Sequence, residues 1–180
     1  MNQKQTSIYL IGMMGSGKST IGKVLARVLH MPFVDLDQQI EAKCGVKIPV
    51  IFEIEGEEGF RKREAQVLEE VSLQPGIVLA TGGGAILSKE NRRLLKERGI
   101  VVYLKASVDE LYRRTSRDKN RPLLATSDPK GRIRDLLAFR EPLYDEIADI
   151  VIETSGSSVS AVSAQLIEKI REFKDLQCPS

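Results

Sequence analysis

Short apolar runs alternate along the chain with polar stretches of helical period. Runs of strand length recur at Ile8-Tyr-Leu-Ile11, Phe33-Val34, Ile77-Val-Leu-Ala80, Ile100-Val-Val-Tyr-Leu104 and Ile150-Val-Ile152, each followed by polar or glycine-rich sequence. Such runs predict buried parallel strands. Between them Ile21, Val24, Leu25, Val28 and Leu29 repeat at helical spacing, and Phe60, Glu64, Val67, Leu68 and Val71 share one face of a second helix. Val159, Val162, Leu166, Ile167 and Ile170 mark a last amphipathic helix that would close back onto the sheet. Strands alternating with helices imply an α/β fold.

Punctuation supports the same division. Ser107-Val-Asp-Glu110 has the form of a capping box, and Asp128-Pro129 supplies an N-cap followed by a first-turn proline. Gly45 and Gly99 stand where helix C-terminal glycines belong. No internal repeat or linker interrupts the 180 residues, so one domain over 1–180 is expected.

Composition narrows the class without naming a function. With 42% hydrophobic and 29% charged residues the chain has the balance of an ordinary globular protein. Its net charge of +2, from 27 basic and 25 acidic residues, lacks the cationic excess of a nucleic-acid binder. Cys44 and Cys178 lie far apart without ligand-like spacing, which argues against a disulfide framework or a zinc site and fits a reducing cytoplasm. The only early apolar run, Ile8 to Ile11, is too short for a signal-peptide core or a bilayer span, so neither secretion nor membrane insertion is expected.

The most specific motif is Gly12-Met-Met-Gly15-Ser16-Gly17-Lys18-Ser19, a phosphate-binding loop placed between the first strand and the first amphipathic helix. Glycines let backbone N–H groups curl around phosphate oxygens at a helix N-terminus. Lys18 would reach the β- and γ-phosphates of ATP, Ser19 would offer its hydroxyl to Mg²⁺, and Thr20 could bond the α-phosphate. The loop by itself is equally compatible with a protein that binds nucleotide and transfers nothing.

Acceptor chemistry must come from elsewhere. Asp35-Leu36-Asp37 leaves the second strand as a carboxylate pair, and strand alternation would turn both side chains to one side, Asp35 toward metal and Asp37 toward the hydroxyl to be phosphorylated. Arg61 follows Phe60 on a helix and precedes Glu64 by three residues, close enough for the carboxylate to orient the guanidinium. Thr81-Gly82-Gly83-Gly84 follows the third strand, where side-chain-free backbone could approach an acceptor. The basic, breaker-rich stretch holding Arg113, Arg114, Arg117, Lys119 and Arg121-Pro122 has the character of a mobile lid, with Arg121 placed to stabilise transferred phosphoryl charge. Arg140 is a second guanidinium that could converge with Arg61 on a carboxylate.

Together these residues resemble the shikimate kinase family, within the nucleoside monophosphate kinase-like branch of P-loop folds. The resemblance runs from about Ile8 to Ile152 and is carried by Gly12 to Thr20, Asp35-Leu-Asp37, Glu55-Gly-Glu-Glu-Gly-Phe-Arg61, Thr81 to Gly84, Arg121-Pro-Leu-Leu124 and Arg140-Glu-Pro-Leu-Tyr144. It implies a five-stranded parallel sheet of order 2-3-1-4-5 flanked by helices, an acceptor-binding segment at about 36–64 and an ATP lid at about 113–128. It implies phosphorylation of the 3-hydroxyl of shikimate by ATP, in aromatic amino acid biosynthesis. The implied catalytic residues are Lys18, Asp37 and Arg121. ATP is implied on Gly15, Ser16, Gly17, Lys18, Ser19, Thr20 and Arg121, shikimate on Asp37, Arg61, Gly83 and Arg140, and Mg²⁺ on Ser19 and Asp35. A cytoplasmic monomer with no nucleic-acid or membrane partner is expected. The chain departs from the family at Thr154-Ser-Gly-Ser-Ser158, where an arginine often borders adenine, and the adenine contacts are left unassigned. A gluconate or nucleoside monophosphate kinase is the nearest alternative, and a nucleotide-binding regulator that has lost transfer is the alternative from another class.

Overall fold

A computed structural model describes residues 5–177; Cys178, one of the two cysteines, lies outside them. Strands β1 (Ser7–Ile11), β2 (Phe33–Asp35), β3 (Val78–Ala80), β4 (Gly99–Lys105) and β5 (Ile150–Glu153) form one parallel sheet in the order β2-β3-β1-β4-β5. Helices α1 (Lys18–Leu29), α2 (Leu36–Cys44), α3 (Ile48–Val71), α4 (Lys89–Arg98), α5 (Val108–Thr115), α6 (Pro129–Ile147) and α7 (Val159–Gln177) cover its two faces.

Side chains alternate across the sheet, so each central strand feeds two cores. Tyr9 and Ile11 of β1 and Tyr103 of β4 join Phe60 and Leu68 of α3, Leu95 of α4 and Tyr144 of α6 on one face. Ile8, Leu10 and Val102 join Ile21 and Leu25 of α1 and Val162, Leu166 and Ile170 of α7 on the other. A fully buried leucine such as Leu166 contributes roughly 2 kcal/mol of transfer free energy.

Burial falls off at the edges, where the sequence reading was too uniform. Strand β2 is half-buried throughout and β5 alternates, with Val151 exposed, because each has only one neighbouring strand. Val28 of α1 is also exposed. Gly45 ends α2 in the left-handed conformation as expected, but Gly99 is extended, at φ −169°. Its glycine has another cause: a Cβ there would stand 2.7 Å from the Ser7 carbonyl oxygen and 2.6 Å from the Tyr9 ring. Half of the expected capping box forms. Ser107 Oγ accepts from Glu110 N, while Glu110 turns its carboxylate to Arg113 and Arg114.

Topology places the functional loops. Neighbouring strands β1 and β3 are followed by α1 and α4, which pack on opposite faces of the sheet. That divergence opens a crevice at their carboxyl ends, the usual ligand position in an open α/β sheet.

Candidate active site

The loop after β1 is held in a shape that only glycine adopts easily. Gly12, Gly15 and Gly17 have φ of 146°, 80° and 98°, and a Cβ on Gly12 would lie 2.6 Å from the Leu104 carbonyl oxygen. Helix α1 starts without a side-chain cap, whereas Asp35, Ser88, Ser107 and Asp128 cap α2, α4, α5 and α6. Its first N–H groups and the positive end of its dipole are therefore free for an anion. Lys18 is only 8% exposed and donates from Nζ to the carbonyls of Gly12 and Met13, each at 2.8 Å. Burial, and then the charge of Arg121, pull this ammonium down to about 7. Gly15, Gly17, Lys18, Ser19, Thr20 and Asp35 line the cavity around it. Ser16 lies fully buried beneath, with its Oγ unpartnered.

The carboxylate pair reaches this cavity by a different route from strand alternation. Asp35 is the last residue of β2 and caps α2 by accepting from Gln38 N at 3.2 Å, so the chain is already helical at Asp37. Helix initiation at Leu36 ended the strand two residues short of Asp37, so alternation does not apply, yet both side chains face the cavity. Ser19 Oγ donates to Asp35 Oδ2 at 2.6 Å. Burial, reinforced by the charge of Asp35, raises Asp37 above the ordinary carboxylate range. Among the described residues no group of three or more His, Cys, Asp or Glu side chains is placed to hold a metal. The paired hard oxygens of Ser19 and Asp35 fit a magnesium ion that keeps its waters and leans on phosphates.

A second cavity adjoins the first, lined by Asp37, Phe60, Arg61, Glu64, Gly83 and Arg140. Helix α3 bends at Gly56, whose φ is 69°, and brings Phe52 against Phe60 with ring centroids 4.8 Å apart. With Ile48 these rings give the cavity an apolar wall. Next to Phe60, Arg61 Nη1 donates to Oε2 of Glu64, one turn on, at 2.7 Å, and Glu64 is 1% exposed. Burial raises the Glu64 carboxyl, and its Oε1 has no partner. Arg140 is 1% exposed, with Nε and Nη1 unpartnered. Two guanidiniums with spare donors, Arg140 buried and Arg61 half-buried, thus face one pocket, an arrangement suited to a ligand carboxylate or phosphate. The glycine run fits between them. A Cβ on Gly82 would stand 2.6 Å from Glu64 Oε1 and 3.1 Å from Asp37 Oδ1, and one on Gly84 would overlap the Arg61 guanidinium.

The basic stretch is helical at its start, since Arg113 and Arg114 belong to α5. Beyond it Arg121, at φ −122° and ψ 88°, is non-helical before Pro122 and borders both cavities. Its Nε lies 2.9 Å from Asp118 Oδ2, without the alignment of a hydrogen bond. Arg114 was placed by sequence only within the basic lid stretch, without a role of its own. It donates to Gly15 O at 3.2 Å, Thr154 O at 3.2 Å and Thr154 Oγ1 at 3.3 Å, tying the phosphate loop to the segment after β5. With Thr20, Ser157 and Ser158 it borders a further cavity beyond the loop. The four-residue spacing from Glu110, which it also contacts at 2.8 Å, was the available signal.

The sheet order and the capless, glycine-built phosphate loop define a nucleotide-binding protein of the P-loop class. The family model for shikimate kinase matches residues 14–171. A shikimate kinase of Bordetella avium is 60% identical over 167 residues, covering 93% of this chain and 80% of its own. The structure of shikimate kinase from Acinetobacter baumannii in complex with shikimate superposes with a TM-score of 0.93 at 48% identity, covering 96% of both chains. A gluconokinase from Sinorhizobium meliloti shares the fold, with a TM-score of 0.59 at 16% identity over 94% of this chain and 98% of its own. The chain belongs to the shikimate kinase family.

Proposed function

We propose that this chain transfers the γ-phosphoryl group of ATP to the 3-hydroxyl of shikimate, releasing ADP and shikimate 3-phosphate. The observation that carries the reading is the wall common to the two cavities, where Met14, Asp37, Gly82, Gly83 and Arg121 border both. A donor and an acceptor seated on either side of that wall would meet for in-line displacement, and positioning supplies much of the rate in such reactions.

Gly15, Ser16, Gly17, Lys18, Ser19 and Thr20 hold the phosphates, and Arg114 borders the adenine. Arg61 and Arg140 clamp the acceptor carboxylate, the Gly83 backbone fixes its ring, and Asp37 accepts a hydrogen bond from the hydroxyl. As the hydroxyl oxygen bonds to the γ-phosphorus and the bridging oxygen leaves with ADP, the hydroxyl proton passes to Asp37, whose raised pKa suits it to receive one. Arg121 stabilises the charge on the moving group. Magnesium at Ser19 and Asp35 would neutralise charge on the β- and γ-oxygens. Residues 1–180 act as one kinase domain, with acceptor segment about 36–64 and lid about 113–128, as a cytoplasmic monomer. Among the described residues no helix is long and apolar enough to cross a membrane.

NMR of the product tests the regiochemistry. Phosphorus coupled to the C3 proton is expected, with no product in excess EDTA. Coupling to another ring proton would overturn the assignment of the hydroxyl.

A further inference from the structure

The acceptor pocket is assembled from pieces far apart in sequence: Gly83 follows β3, while Arg140 stands in the middle of α6. The two must be kept in register for the pocket to hold its shape. Tyr144 lies one turn beyond Arg140, fully buried, and its hydroxyl donates to the Gly83 carbonyl oxygen. The same phenol sits beside the Arg140 guanidinium, whose positive charge works against the upward pull of burial on the hydroxyl. Its ring stacks on Tyr103 of β4, with centroids 4.9 Å apart and planes 24° from parallel. A Cβ on Gly83 would lie 3.2 Å from Met14 N and 3.4 Å from Arg140 Nη1, so little slack separates the glycine loop from the phosphate loop and from Arg140.

We propose that Tyr144 is a positioning residue for the acceptor: its buried hydroxyl locks the Gly83 peptide and the Arg140 guanidinium into one geometry, with its stack on Tyr103 as the fixed base. The Gly83 carbonyl shares one planar amide with the Gly84 N–H, so by holding that carbonyl the hydroxyl opposes rotation of the Gly83–Gly84 peptide and fixes the line of the glycine loop past Arg140. This inference rests on the reading of the pocket as the shikimate site. The hydroxyl of Tyr103 is buried without a partner and makes no such tie, so its loss serves as the control.

Tyr144→Phe keeps the ring, its volume and its stack. Initial rates with shikimate and ATP varied in turn should show KM for shikimate raised about tenfold, the effect of leaving one buried carbonyl unpaired. KM for ATP should stay within about twofold of wild type, and Tyr103→Phe should leave both constants near wild type. Unchanged KM for shikimate in Tyr144→Phe would overturn the inference while leaving the function intact, as would equal losses toward both substrates, which mark a merely structural role. A wild-type enzyme inactive on shikimate would instead remove the functional reading and this inference with it.

Discussion

At Lys18 burial works against a positive charge before any phosphate is present. The ammonium is pulled to about 7, so at pH 8 most of the free protein carries it neutral. A polyphosphate beside it favours the charged form, so nucleotide binding at pH 8 should take up a proton. Calorimetric titration with ATP in buffers of different ionisation enthalpy should give different apparent heats, and identical heats would contradict the assignment. Lys18→Ala should cut kcat by at least about a hundredfold, measured as ADP release, since a preorganised charge at the transferring group is lost. Arg61→Lys addresses the fork. Lysine can reach Glu64 but cannot also offer the acceptor a planar pair of donors, so KM for shikimate should rise about tenfold with KM for ATP unchanged. These two residues were legible in sequence because each sits in a motif whose chemistry fixes its type. Arg114 and Tyr144 were not, because their partners at Gly15, Thr154 and Gly83 are distant in sequence and are joined only by the fold.

Elements were legible where periodicity was strong and blurred where one residue served two ends. Asp35 closes β2 and caps α2, so the carboxylate pair reached the phosphate cavity through a helix turn rather than along a strand. Local sequence could not decide this, since alternation and capping both explain an acid at that place. Gly99 makes the same point: its position after α4 was clear, but the reason for glycine is the approach of β1. Gly99→Ala should destabilise the protein by about 1–3 kcal/mol in urea unfolding, because the new methyl meets backbone and an aromatic ring in the central strand. An unchanged midpoint would contradict that packing.

For the molecule as a whole, apolar runs and helical periods were enough to indicate α/β, but not the order in which the strands pair. That order came from family resemblance and is what puts the glycine loop after β3 next to the phosphate loop after β1. The resulting crevice brings Asp37, Arg61, Gly83 and Arg140 around one cavity and Lys18, Ser19 and Asp35 around its neighbour. Two guanidiniums with unpartnered nitrogens, Arg140 buried and Arg61 half-buried, fit the acceptor side to an anionic acceptor. The apolar wall of Phe52 and Phe60 favours a ring over the open chain of gluconate. Steady-state ADP formation by the purified protein with magnesium and ATP, comparing shikimate, gluconate and AMP as acceptors, tests this most directly. The account predicts turnover that depends on shikimate and stays at background with the other two; turnover with gluconate or AMP in place of shikimate would contradict it.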